Sequence, residues 1–338
     1  MRKRWWVAAA AVTVLAVGAV AGVRAGRAAL HAPLNIPAEG AWLDVEKGTS
    51  FRRVTKQLAD RGVLEHEWLL KQYAGFSGDA KKVRAGEYQL PPGTTPLSLL
   101  DKLVSGQVYL HQITIVEGWR FEELLTAMRA NPAVKASSLD GPAIMAALGE
   151  PGLHPEGQFF PDTYRFPRGT SDVELLRTAH EALRARLDDA WGRRSPDLRI
   201  TTPYQALILA SIIEKETALP AERRLISGVF HERLRRGMRL QTDPTVIYGM
   251  GSSFDGNLRR QDLDNDTPYN TYTRGGLPPT PIALPGAASI EAAVAPEITG
   301  AVYFVATGLP DGSHFFSATL EEHERAVRDY VRRLKSGP

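Results

Sequence analysis

The run of apolar and polar positions divides the chain into three unlike stretches. The first is almost unbroken. From Trp5 to Val23 every residue is apolar or glycine except Thr13. Nineteen helical residues, at about 1.5 Å each, extend about 28 Å, close to the hydrocarbon thickness of a bilayer. A cleaved signal peptide competes with this reading, but its apolar region is normally about 7–15 residues. The length of the run, with Trp5 and Trp6 at one end as interfacial aromatics, favours an uncleaved anchor. Arg2, Lys3 and Arg4 precede it and orient the N-terminus inward, although Arg24 and Arg27 beyond it weaken the asymmetry. The expected layout is a cytoplasmic tail at 1–4, a transmembrane anchor at 5–24 and a tether at 25–40, where Pro33 and Pro37 interrupt any apolar period.

In the second stretch one pattern recurs: an apolar residue, glycine three positions later, polar capping residues, then apolar residues at helical spacing. Val45 and Gly48 lead to Val54 and Leu58; Leu90 and Gly93 lead to Leu99 and Leu103; Ile115 and Gly118 lead to Leu124 and Met128. A weaker copy runs from Phe166 through Gly169 and Ser171 to Leu175. Each copy predicts a strand, a tight turn that glycine permits and a helix capped by Ser or Thr where one is present. The glycines are irregularly spaced, so the pattern predicts small α+β modules and not a solenoid. Such a module looks like the LysM-type glycan-binding unit. A plain structural subdomain is the stronger reading of the residues alone, because no cluster of aromatics along the sequence marks a sugar platform.

Beyond residue 195 the spacing changes. Thr202, Pro203 and Gln205 read as N-cap, first helical residue and capping-box partner of a helix that runs to Thr217 and meets Pro220. From Ala206 to Ile213 that helix is apolar nearly all round, as a buried helix is. Arg223–Arg236 predicts an amphipathic helix, Ala301–Val305 a strand and Leu320–Leu334 a closing helix. Between them, residues 238–296 are rich in Gly and Pro yet carry Tyr248, Tyr269 and Tyr272, which favours an ordered, functional segment. The fold class is α+β.

Composition narrows the chemistry. With 41 Lys+Arg against 38 Asp+Glu in 338 residues, the net charge of +3 argues against a nucleic-acid binder. The absence of cysteine excludes disulfides, thiolate metal sites, a cysteine nucleophile and a lipoprotein anchor. There is no Walker loop, G-x-S-x-G elbow or H-E-x-x-H pair, and His314 and His323 read as structural histidines. No metal or cofactor is expected. The carboxylates that end the buried helix remain. A Glu there costs energy unless it is paired, hydrogen-bonded or kept protonated, and a raised pKa suits a general acid. Glu214 and Glu216 lie about 200° apart around the helix and cannot share one cleft face. The smaller neighbours of Glu214 (Ala210, Ser211) leave more room for a substrate. A capped helix end with exposed carboxylates stays open as the plainer reading.

Several strings carry a resemblance that goes further: Leu209-Ala-Ser-Ile-Ile-Glu-Lys-Glu-Thr217, Leu240-Gln-Thr-Asp-Pro-Thr-Val-Ile-Tyr-Gly249, Tyr269-Asn-Thr-Tyr272, Gly276-Leu-Pro-Pro279 and Pro285-Gly286. To these are added Glu156-Gly-Gln-Phe-Phe-Pro-Asp-Thr-Tyr164, His314-Phe-Phe and Glu322-His323. In this order, from about Trp42 to Leu334, the chain resembles the endolytic murein transglycosylases, the YceG-like family; Glu324 departs from it, where Asn is expected. The resemblance implies a LysM-like α+β subdomain at 41–110 and a catalytic domain at 111–338 that cleaves between N-acetylmuramic acid and N-acetylglucosamine within a strand, as a lyase. It implies Glu214 as the catalytic acid/base. Gln241, Thr242, Asp243, Tyr269, Asn270, Thr271, Tyr272 and Glu156 become candidate substrate-binding residues, each with a structural alternative. Lys215 and Arg274 read as solvated charges that could also meet stem-peptide carboxylates, and Asp162 as a turn residue or an orienting group. The expected surroundings are peptidoglycan strands, the inner membrane with the catalytic domain in the periplasm, and synthases or division machinery as partners. A lysozyme-like muramidase using Asp243, or a silent glycan-binding scaffold, remain as alternatives.

Overall fold

A computed structural model describes residues 2–336; Met1 of the expected tail lies outside them. The chain divides into two compact units, the first formed by residues 1–111 with 165–169, the second by 112–164 with 170–338. The sequence reading assigns residues 165–169 to the catalytic domain, and the structure returns them to the first unit.

Helix α1 (Arg2–His31) opens the first unit. Its stretch Thr13–His31 is long and apolar enough to cross a membrane. The expected tether is corrected here. The Arg24–His31 segment contains no proline and is rich in Ala, the best helix former, so the helix continues until Pro33 stops it. Leu30 and Leu34 are buried in the core of the first unit. Helix α1 therefore runs into folded protein without an intervening loop.

Strand β1 (Ala41–Val45), helices α2 (Phe51–Asp60) and α3 (Glu67–Ser77), strand β2 (Gly86–Leu90) and helix α4 (Pro96–Ser105) follow. β1 and β2 pair antiparallel, with Leu43 opposite Tyr88. Both side chains point into a core shared with Val54, Leu58, Leu70 and Leu99. The capping chemistry is as the sequence predicts: Ser50 accepts from Arg53 N and Thr95 from Ser98 N. Gly48, Gly93, Gly118 and Gly169 all adopt φ between 77 and 86°, a region side chains disfavour. The paired strands β3 (Leu110–Thr114) and β4 (Thr163–Pro167) carry the chain between units.

The second unit holds helices α5 (Phe121–Ala130), α6 (Gly141–Leu148), α7 (Asp172–Gly192), α8 (Pro203–Glu216) and α9 (Arg223–Arg235). The shorter α10 (Asp243–Met250), α11 (Arg260–Asp264) and α12 (Ala287–Val294) lie in the Gly- and Pro-rich segment. A β5 (Tyr303–Ala306)–β6 (His314–Ser317) hairpin and helix α13 (Leu320–Ser336) close the chain. α8 is the axis. Every residue from Ala206 to Ile213 is buried, in a cluster that takes side chains from α7, α9 and α12. Thr202 caps it by accepting from Gln205 N, while Gln205 Oε1 reaches one residue further back, to Thr201 N at 2.6 Å.

Candidate active site

α8 ends at Glu216 because Thr217 turns to extended backbone. Its last turn delivers two carboxylates into different surroundings.

Glu214 enters a part-buried ion pair. One oxygen lies 3.3 Å from Arg223 Nη2 and the other accepts from Gly286 N at 3.0 Å. The two side chains are only 6% and 11% exposed. The turn after β3 covers the same place: Gly118 N donates to Leu284 O and Leu284 N to Trp119 O, both at 2.8 Å. Lys215 Nζ donates to Gly118 O at 3.2 Å, so its charge is part of this cover. Glu117 approaches Arg223 at 4.0 Å. Arg223, Glu117 and Gly118 were not legible as neighbours of Glu214; Gly286 stood in a quoted motif without a role.

Glu216 faces a cavity of about 400 Å³ lined with it by Gln241, Thr242, Asp243, Tyr272 and His323. Burial pushes its carboxyl up to about 7, and the Asp243 carboxylate pushes in the same direction; Thr242, His314 and Arg233 oppose them. Thr242 occupies the N-cap position of α10, yet its hydroxyl makes no cap bond and donates to Glu216 Oε1. An N-cap threonine normally serves the helix. Here that bond is given up to position the acid. Among the described residues no hydrogen bond reaches Oε2 of Glu216.

The loop before α10 is shaped by a buried cation. Arg233 donates to Val302 O at 2.6 Å, to Leu240 O at 2.7 Å and to Gln241 Oε1 at 3.4 Å. Gln241 takes a left-handed φ of 49°, a strained conformation of the kind that clusters at functional sites. Tyr272 donates to Asp243 Oδ1 at 2.5 Å. Behind the cavity the Glu222 carboxylate lies 2.7 Å from both N and Nδ1 of His314; this pair, too, had no sequence signal beyond the His-Phe-Phe string.

Asn270 and Thr271 are placed otherwise. Both are buried. Asn270 Nδ2 donates to Leu263 O and Asn265 O at 2.9 and 2.7 Å, and its Oδ1 accepts from Tyr272 N at 2.8 Å. Thr271 Oγ1 accepts from Thr242 N at 3.1 Å. These side chains hold the loop that presents Tyr272 and Thr242. Asn270→Ala is expected to cost about 1–3 kcal/mol, since it removes three hydrogen bonds from a buried side chain to part-buried backbone; a denaturant midpoint shift with a weakened active site checks it.

Glu156 and Tyr269 line a second cavity of about 550 Å³ with Arg120, His154 and Tyr248. Burial pushes the Glu156 carboxyl up to about 7 against the lowering bonds from Phe121 N (3.0 Å) and Tyr248 OH (3.1 Å). Tyr248 and Tyr269 meet edge to face at 4.8 Å. Asp162 Oδ1 accepts from Thr163 N, and Arg274 pairs with Asp266 at 2.8 Å. Gln241, Thr242, Asp243 and Tyr272 thus gather around Glu216, Glu156 and Tyr269 elsewhere, and none of these is hydrogen-bonded to Glu214.

Residues 43–329 match the profile of the YceG-like family. The chain belongs to that family. Among YceG-like relatives, the endolytic murein transglycosylase of Bacillus subtilis (strain 168) is 31% identical over 308 residues, 86% of this chain and 84% of that protein. The protein of the same name from Streptococcus pneumoniae (strain D39) is 25% identical over 322 residues, 85% of this chain but 58% of its own length. The crystal structure of a yceG-like protein from Listeria monocytogenes superposes with a TM-score of 0.55 at 29% identity, covering 86% of this chain and 99% of that one.

Proposed function

We propose that this chain is an endolytic peptidoglycan lytic transglycosylase whose acid/base is Glu216. Membership of the YceG-like family and the shared name of the relatives support the reaction. The observation that carries the residue is its place: the Glu216 carboxyl opens on a polar cavity shared with Gln241, Thr242, Asp243 and Tyr272, and burial pushes it toward the neutral form. A group titrating near the working pH is what acid catalysis followed by base catalysis requires. Glu214 carries the same chemistry less well, because Arg223 and Gly286 N occupy both of its oxygens. We assign it to positioning the end of α8.

In the reaction, protonated Glu216 gives its proton to the glycosidic oxygen as the bond from muramic acid C1 breaks through an oxocarbenium-like state. The resulting carboxylate takes the proton of the muramyl C6 hydroxyl, whose oxygen bonds to C1 and closes a 1,6-anhydro ring. One acid is regenerated and no water is consumed. Asp243 disfavours the charged form of Glu216 beforehand and offers negative charge to the developing cation. Gln241, Thr242 and Tyr272 orient the sugar, and Glu156 with Tyr269 holds a further part of the strand. A hydrolase would need a second carboxylate that activates water; the names of the relatives favour the lyase. Incubating long glycan strands with the protein should shorten their mean length before disaccharides accumulate. Release of disaccharides from unshortened strands would oppose endolytic action.

The raised carboxyls predict a pH dependence. Glu216 and Glu156 keep protons in the folded chain that the unfolded chain, with carboxyls near 4.5, has released. Their contribution is full below about pH 4.5 and is lost as pH rises to about 7. The melting temperature should be higher at pH 5 than at pH 8, and Glu216→Gln should flatten part of that slope. Turnover should fall above about pH 7 as the acid form empties.

The first unit is read as LysM-like. Its β1–α2–α3–β2 order, and the exposed rings of Trp42 and Tyr109, edge to face at 4.9 Å, support a glycan-binding surface. These rings are far apart in sequence, which is why no aromatic cluster was legible. α1 is read as a single-pass anchor of the inner membrane with the N-terminus cytoplasmic and the second unit periplasmic. That location fits nascent strands as substrate, with synthases and division proteins as partners.

A further inference from the structure

Helix α3 buries Leu70 and Ala74 in the first unit and leaves outside it a face that is exposed except at Leu69. At 100° per residue, Trp68, Gln72, Phe76, Leu69 and Tyr73 follow one another around about 140° of its circumference. None is charged. Phe76 is 98% exposed and Trp68 65%. The charged pair of this helix, Glu67–Lys71 at 2.8 Å, lies off that face. One residue within the face has a fixed address: the side chain of Leu69, between Phe76 and Tyr73, packs over Gly26 of α1.

That contact locates the face along the anchor. Leu30 is in the folded core, while Arg24 and Arg27 are exposed on the helix on either side of Gly26, Arg24 toward the bilayer and Arg27 toward the core. Counting from Trp5, about 30 Å of hydrocarbon takes about 20 residues at 1.5 Å each, and ends near Arg24. Gly26 then stands within a turn of the hydrocarbon boundary, among the headgroups. Aromatic rings are favoured there and exposed arginines meet phosphates. We propose that the Trp68–Phe76 face of α3 lies in the headgroup layer of the bilayer that α1 crosses, a second attachment that fixes the first unit against the membrane. This rests on the reading of α1 as an anchor.

The chain has no cysteine, so single-cysteine labelling is clean. The full chain would be placed one copy per nanodisc of phosphatidylethanolamine and phosphatidylglycerol, with a fluorophore on Phe76→Cys or Gln72→Cys, and on Val17→Cys in α1. The expected result is that labels at 76 and 72 lose several-fold in quenching by aqueous iodide and are quenched by lipids brominated near the headgroup. The Val17 label should be quenched by lipids brominated deep in the chain. Labels at 76 and 72 that stay open to iodide, with Val17 in hydrocarbon, would overturn the docking and leave the anchor standing. Shielding without quenching by brominated lipid would mean a protein contact and would also overturn it. A Val17 label in water would remove the anchor itself and the proposal with it.

Discussion

Glu216→Gln is expected to fold and to lose about 10²–10⁴-fold in glycan cleavage, the range that general acid–base catalysis supplies. The substitution keeps an acceptor for the Thr242 hydroxyl and removes a charge that burial already disfavours. Stability should therefore hold, or rise slightly above pH 7, while turnover collapses. The same change at Glu214 should behave in the opposite way, leaving measurable turnover in a less stable protein. Assays of strand cleavage beside thermal melts of both variants separate the two carboxylates. If Glu214→Gln alone abolished cleavage without loss of stability, the acid would be Glu214.

The second large effect is structural. Glu214→Ala removes one partner of a pair whose members are 6% and 11% exposed. Breaking such a pair leaves a buried charge uncompensated and typically costs about 3–5 kcal/mol. Among the described residues Arg223 would retain Glu117 alone, at 4.0 Å, and Gly286 N would lose its acceptor. A denaturant titration should show a loss of that size. The double change Glu214→Leu with Arg223→Met should recover much of it, since a neutral apolar pair of similar volume restores packing without stranded charge. No recovery would mean that the site does more than hold the end of α8.

The two glutamates show where sequence reasoning stops. Helical periodicity is local, and it rightly separates Glu214 from Glu216 by more than half a turn. It gauges room only from residues on the same helix, where Ala210 and Ser211 make the Glu214 side look open. The partners that decide come from elsewhere: Arg223 and Gly286 close one side, Thr242 and Asp243 line the other. Nothing in the spacing of apolar residues reports a loop folding back over a helix end. The caps at Ser50, Thr95 and Thr202 were legible because each bond spans three residues. The length of α1 is hidden in the sequence for a related reason: Pro33 and Pro37 interrupt any apolar period over residues 25–40, and the burial of Leu30 depends on a core assembled from distant strands. Asn270 and Thr271 look like sugar contacts in sequence, and only their backbone partners reveal them as the frame of the loop.

The central claim is a lyase reaction carried by Glu216, and product ends report it most directly. Purified peptidoglycan would be digested by the full chain in heavy-oxygen water, beside Glu216→Gln, and the new ends weighed by mass spectrometry. The account predicts 1,6-anhydromuramic ends that carry no heavy oxygen and vanish in the variant. Reducing muramic ends that have gained heavy oxygen, or anhydro ends that persist undiminished in Glu216→Gln, would contradict it.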